Sequence, residues 1–195
     1  DPIVIINDIF QIPESDSSEP SALERNYILL SLYPGMLSDM WVKRFVEYAH
    51  QKDYLVFSLP HPSMEVDLPV DRVISLPMSP LTWFSWIRYA SGYLGVRFHA
   101  LMSAMVNQTP FISIDTYRRH YQPRIVSKIY DLSKRGGFTE LVYQPFELHK
   151  EKPESILDKL LYARQKLPAR YLIQAKKDFY HIIEMILAKS IPEGK

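Results

Sequence analysis

With 195 residues, 47% of them hydrophobic and 13% aromatic, the chain is long enough for one domain with a sizeable core. A formal charge of +1 supplies no global field for nucleic acid or an anionic membrane, and the absence of cysteine excludes a disulfide framework and thiolate metal sites. No apolar run approaches the roughly 20 residues of a membrane span, so a globular chain without such a span, placed in the cytoplasm, is the expectation.

The chain opens Asp1-Pro2 with a short apolar run, Ile3-Val4-Ile5-Ile6. The stretch 12–25, IPESDSSEPSALER, then has no periodicity and reads as a polar linker. Tyr27 to Leu32 is a continuous apolar run bounded by Pro34-Gly35, the pattern of a parallel strand covered on both faces. Ser38 is placed to cap a helix running to about His50, with Met40, Trp41, Phe45, Val46 and Ala49 inward. A second strand spans 54–59 and ends in Pro60-His61-Pro62; His61 and Glu65 lie in the loop on the expected ligand side, with nothing to set them apart from solvated residues. A third strand, 73–76, is closed by Pro77. Ser79 or Leu81 then starts a helix carrying Trp83, Phe84, Trp86 and Ile87, which ends near Gly92.

From Gly95 to Tyr117 the chain reads GVRFHALMSAMVNQTPFISIDTY. A short strand over 93–96 gives way to a helix with Phe98, Leu101, Met102 and Met105 at helical spacing, and 110–114 returns as a buried strand. Arg97 and His99 therefore stand where a strand's carboxyl end meets a helix's amino end, the place where ligands bind in open α/β sheets and where the helix start favours an anion. The residues alone leave Arg97 two roles, an anion contact or a surface ion pair, and leave His99 as a ligand contact or an ordinary satisfied histidine.

Beyond Tyr117 the chain turns basic, and a helix is expected from about Pro123 to Ser133, stopped by Gly136-Gly137. Leu141 to Tyr143 suits a last short strand. Two tail helices follow, from Ser155 to about Gln165 and from Ala169 to Ile191. The second carries an apolar stripe of Tyr171, Leu172, Ala175, Phe179, Ile182, Ile183 and Ile186, expected to leave an exposed patch if nothing covers it. The alternation of strands and helices predicts a three-layer, Rossmann-like α/β domain with a mainly parallel sheet and a helical C-terminal tail. His50, His149 and His181 form no metal-ligand pattern, and the six glycines never fall in the spacing of a P-loop or a dinucleotide-binding loop.

Gly95-Val-Arg97-Phe-His99-Ala, followed by an apolar helix, a proline-led strand and Tyr117, resembles the C-terminal half of the polysaccharide pyruvyl transferase family. The resemblance extends loosely over about residues 1–145. It implies a two-domain enzyme with a scaffold like that of B-type glycosyltransferases, acting in polysaccharide biosynthesis for cell-envelope glycans. Such an enzyme transfers the enolpyruvyl group of phosphoenolpyruvate to a sugar or glycan acceptor as a pyruvate ketal, with phosphoenolpyruvate as donor substrate and no cofactor or metal. In this light Asp1-Pro2 marks an inter-domain junction, residues 1–25 are junction and linker, 26–195 form the C-terminal domain, and a first domain of the same protein is expected as partner. The site residues it implies are Gly95, Arg97, His99, Tyr117 and Arg119, with Arg97 binding the anion and His99 moving a proton or touching phosphate.

Two positions depart from the family's pattern. Gln108-Thr109 precedes the strand proline where small residues are usual, and His120 stands where the family often has a lysine three residues after its tyrosine, so Arg119 is taken as the substitute. Two other functions remain open at this level. One is a nucleotide-sugar glycosyltransferase or epimerase half, which usually has a ribose-gripping carboxylate in the helix that 98–106 lacks. The other is a non-catalytic α/β interaction module.

Overall fold

The computed structural model describes residues 26–60, 68–117, 127–162 and 169–190. Six strands, β1 Tyr27–Ser31, β2 Leu55–Ser58, β3 Arg72–Val73, β4 Gly92–Gly95, β5 Phe111–Ile114 and β6 Val142–Tyr143, form one sheet in the order β3-β2-β1-β4-β5-β6. Every neighbouring pair is parallel, as the continuous apolar runs predict. All residues of β1, β4 and β5 are buried, since helices cover both faces of the central strands.

The helices are α1 Asp39–Gln51, α2 Pro80–Arg88, α3 Phe98–Asn107, α4 Lys128–Gly136, a short α5 Pro145–Leu148, α6 Pro153–Tyr162 and α7 Ala169–Ser190. Contacts pair α1 with α6 and α2 with α3. This is the three-layer arrangement that right-handed crossovers from a sheet centre produce. Ser38 caps α1, its hydroxyl accepting the Trp41 N–H at 3.2 Å. Ser79 caps α2 in the same way through Thr82, with Pro80 at the first helical position.

Several boundaries differ from expectation, each for a physical reason. Met40 is 68% exposed and Val42 takes its inward place. The buried set Trp41, Val42, Phe45, Val46 and Ala49 recurs at one and four residues, which turns Met40 about 100° off the stripe. The third strand is only Arg72–Val73: Ile74 still reaches the core, but the chain then leaves the sheet and Leu76 is exposed. The helix expected to end near Gly92 ends at Arg88, and Gly92 is the first residue of β4. A Cβ there would lie 2.9 Å from Leu160 of α6, so the bare glycine lets α6 lie directly on the strand.

The helix expected from Pro123 begins at Lys128, capped by the Ser127 hydroxyl, and closes on Gly137 at φ 71°. The tail helices fall as expected, within two or three residues at their described ends. On α7, Ala175 and Phe179 pack against the core, while Ile173, Ile182, Ile183 and Met185 are exposed. The segments 1–25 and 118–126, with His61, Glu65 and Arg119, lie outside the described residues.

Candidate functional site

The sheet order reverses between β1 and β4, so their following loops leave in opposite directions and open a crevice at the carboxyl ends. Ser31 and Gly95 are register partners at that point. Tyr93 on β4 is fully buried, and its hydroxyl turns back beneath the strand end to accept the Arg97 main-chain N–H at 3.3 Å. Burial pushes the Tyr93 phenol well above its ordinary range, with the Arg97 N–H and Ser31 partly opposing that shift, so it remains a neutral phenol.

Gly95 leaves the space that ring uses. A Cβ there would lie 2.7 Å from Tyr93 Cζ and 2.8 Å from Ser31 Cβ. Both neighbours are buried and cannot step aside. Gly95→Ala is therefore expected to cost about 1–3 kcal/mol through overpacking, read as a lowered midpoint in thermal and urea melts. An alanine variant melting like the wild type would mean the ring has room to move.

Arg97 occupies the N-cap position of α3 with extended φ −91° and ψ 124°, and no side chain caps the helix. The N–H groups of the first turn thus emerge without a capping oxygen, and no acidic residue lies in that turn. Among the described residues, Nε and Nη2 of Arg97 are buried without a hydrogen-bond partner. Burial pulls the guanidinium pKa down, and the phenols of Tyr93 and Tyr33 oppose that shift. Two buried guanidinium donors without acceptors are costly, and an anion at the helix start would satisfy them together with the helix N–H groups.

His99 lies in the first turn of α3 with its side chain exposed. Its ring meets Phe98 edge-on at 5.8 Å between centroids, and its main-chain oxygen accepts from Ser103 Oγ at 2.9 Å. The structure therefore brings Gly95, Arg97 and the start of α3 together, with His99 at the rim.

Tyr117 lies elsewhere. It is 54% exposed, because β5 has ended and the chain has reached the top of the sheet. It lines a cleft of about 670 Å³ between the loops after β1, β5 and β6, with Tyr33, Asp115, Thr116, Gln144 and Phe146 among its walls. Arg97 and His99 do not line this cleft; Tyr33 does, and its phenol also acts electrostatically on Arg97.

Asp115 is fully buried; its Oδ1 accepts from Ser127 Oγ at 2.8 Å and from the Tyr117 N–H at 3.1 Å. Gln144 donates from Nε2 to the Tyr117 carbonyl at 2.9 Å and forms a reciprocal cap with Glu147 at the start of α5. Sequence reasoning missed Tyr33, Tyr93, Asp115, Gln144 and Phe146 as site residues. The available signal was Asp115 itself, a carboxylate set directly after a buried apolar strand at its carboxyl end. Among the described residues no cluster of three His, Cys, Asp or Glu side chains could hold a metal, and no helix is long and apolar enough to cross a membrane.

The switch point of this doubly wound parallel domain thus holds a half-buried arginine, with Nε and Nη2 enclosed, beside an uncapped helix start. The profile of the polysaccharide pyruvyl transferase family matches residues 2–117, and the chain belongs to that family, which is one of transferases. No curated protein matches the sequence at a significant level.

Solved structures similar to it include the spinosyn forosaminyltransferase SpnP, at 15% identity over 85% of this chain and 44% of that one, with a TM-score of 0.48. The glycotransferase of kitacinnamycin follows at 11% identity, 82% and 39% coverage and a TM-score of 0.47. The UDP-GlcNAc 2-epimerase of Methanocaldococcus jannaschii matches at 14% identity, 86% and 44% coverage and a TM-score of 0.45. This chain spans less than half the length of each of those three.

Proposed function

We propose that this chain carries the donor half of a pyruvyl transferase site, taking phosphoenolpyruvate at the start of α3 for transfer to a sugar of a glycan. The observation that carries the reading is the half-buried Arg97 guanidinium, whose enclosed Nε and Nη2 lack acceptors beside an uncapped helix start. Phosphoenolpyruvate brings a carboxylate and a phosphate, and a planar guanidinium can grip either through paired charge-assisted bonds.

The reaction needs few groups. C3 of the enol takes a proton, C2 accepts one sugar hydroxyl, the bond from C2 to the phosphate oxygen breaks, and a second hydroxyl closes the ketal at C2. Of the two hydroxyl protons released, one balances the proton added at C3 and the other leaves with phosphate. Arg97 would hold the donor and stabilise charge on the departing phosphate. His99, exposed one step into the helix, would move a proton or contact the phosphate. A first domain of the same protein would supply further acceptor contacts.

Titration with phosphoenolpyruvate, followed by calorimetry and NMR, tests this. Arg97→Ala is expected to lose about 1.5–3 kcal/mol of binding, or roughly 10–150-fold in affinity. Arg97→Lys, which keeps the charge and loses the planar fork, should fall between the two. Equal affinities for wild type and both variants, with unchanged melting, would reject the reading.

A further inference from the structure

We propose that the cleft between the loops after β1, β5 and β6 is a subsite for one pyranose ring of the acceptor glycan, seated against Tyr117 and Phe146. Placing the acceptor there rests on the pyruvyl-transfer reading above; that the cleft takes a neutral sugar rests on its own chemistry. A pyranose has a face of C–H bonds and a rim of hydroxyls. Such a ligand wants an aromatic surface under its face and fixed acceptors at its edge.

The cleft supplies both. Tyr117 and Phe146 are 54% and 52% exposed, whereas Phe45, Phe57, Phe84, Phe111 and Phe138 are buried. Among the wall residues, Asp115 contributes a carboxylate locked by Ser127 Oγ and the Tyr117 N–H, so its position does not depend on a ligand. Its volume of about 670 Å³ lies within the ordinary range for small-molecule sites and exceeds what one sugar ring fills.

Charge separates the two ligands. Among the described residues no lysine or arginine lines the cleft; Lys150 stands 5.5 Å from the Phe146 ring centroid but is not a wall residue. A ligand bearing a carboxylate and a phosphate finds no guanidinium or ammonium among those described walls to pair with. At Arg97 the same ligand meets a cation and a positive helix end. Tyr33 belongs to both neighbourhoods, lining the cleft and acting electrostatically on Arg97. Tyr33 therefore ties the cleft electrostatically to the place proposed for the donor.

The experiment uses this chain, methyl galactopyranoside and methyl mannopyranoside with their disaccharides, and phosphoenolpyruvate as separate NMR titrants. At least one sugar is expected to shift the resonances of Tyr117, Phe146 and Thr116, with weak affinity in the millimolar range. Phe146→Ala should weaken that sugar by about tenfold while the phosphoenolpyruvate shifts around Arg97 persist. Arg97→Ala should do the converse. Phe146 is half exposed, so its loss should leave the thermal melt in place, and the melt of each variant is recorded alongside.

Sugars that leave the cleft resonances unmoved, while phosphoenolpyruvate binds at Arg97, would overturn this inference and leave the donor reading standing. Sugar binding in the cleft without phosphoenolpyruvate at Arg97 would support the subsite and reject the donor reading. Phosphoenolpyruvate shifting Tyr117 and Phe146 in preference to the start of α3 would overturn the division of the two ligands.

Discussion

Phe45→Ala is expected to remove about 3–5 kcal/mol of stability, a large part of what a domain of this size has. Phe45 is fully buried on the inner face of α1 and stacks on Trp41 with ring centroids 5.5 Å apart and planes 15° from parallel. Trp41 is fixed from its other end, since its Nε1–H donates to the Glu151 carbonyl at 3.0 Å. Beyond α1, Arg44 pairs with Glu154 at 2.8 Å and Lys52 with Asp158 at 3.1 Å, so α1 is held to α6 along its length. Those pairs are partly exposed and worth little individually, so resistance to collapse onto the void rests on Trp41, held at its far end by Glu151. The cavity should therefore stay largely unfilled, which puts the cost toward the upper end of the range. Urea and thermal melts measure it. Because α1 follows the loop that bears Tyr33, fast amide exchange should appear in α1 and α6 before it appears in α3. A loss below about 1 kcal/mol would show that the layer repacks freely.

The central strands were legible because a parallel sheet covered on both faces leaves uninterrupted apolar runs, and 27–32, 54–59 and 110–114 are such runs, whereas the exposed edge pair Arg72–Val73 was misplaced to 73–76. Caps were legible as well: Ser38, Ser79 and Gly137 each do what their position predicts. The misplacements have local causes. Met40 is apolar but lies one residue off the buried stripe, and composition cannot show phase. Helix α5 was missed because its cap is Gln144, outside the usual set of Ser, Thr, Asp and Asn, although Pro145 and Glu147 stand where a helix start wants them.

The site divides along the same line. Arg97 was visible because strand, turn and helix follow one another in the chain. The reach of the Tyr93 hydroxyl back to the Arg97 N–H was hidden, since it depends on the missing Cβ of Gly95 and on Ser31 from a strand far away in sequence. The cleft was hidden more completely. Its walls come from three loops that only the strand order β1-β4-β5-β6 brings side by side. Tyr117 entered as a site residue only through the family resemblance, and it is the end of β5 at Ile114 that shows it has cleared the sheet.

Above about pH 10 the domain should lose stability steeply, and Tyr27 and Tyr93 should account for it. Tyr27 is 2% exposed and donates its hydroxyl hydrogen to the Trp86 carbonyl at 2.7 Å, a bond the ionised form cannot make. Tyr93 is fully buried beneath the Arg97 turn. Burial raises both phenols far above the ordinary value of 10.0, so in the folded state they hold their protons throughout the alkaline range. The unfolded chain releases them near that ordinary value. Above it the unfolded state binds fewer protons than the folded one, so stability falls as pH rises; below it the contribution is fully present and flat. Each residue then removes about 1.4 kcal/mol per pH unit, and the two together remove roughly 5 kcal/mol by about pH 12. Urea midpoints across the alkaline range, with tyrosinate absorbance recorded in parallel, should show ionisation of these two residues arriving together with unfolding. Tyr27→Phe and Tyr93→Phe should each reduce the slope by about half, since neither phenylalanine has a proton to lose. Tyr93→Phe also strips the Arg97 N–H of its acceptor, so it should begin about 1–3 kcal/mol less stable at neutral pH and loosen the start of α3. A slope unchanged in both variants would assign the alkaline loss to other groups.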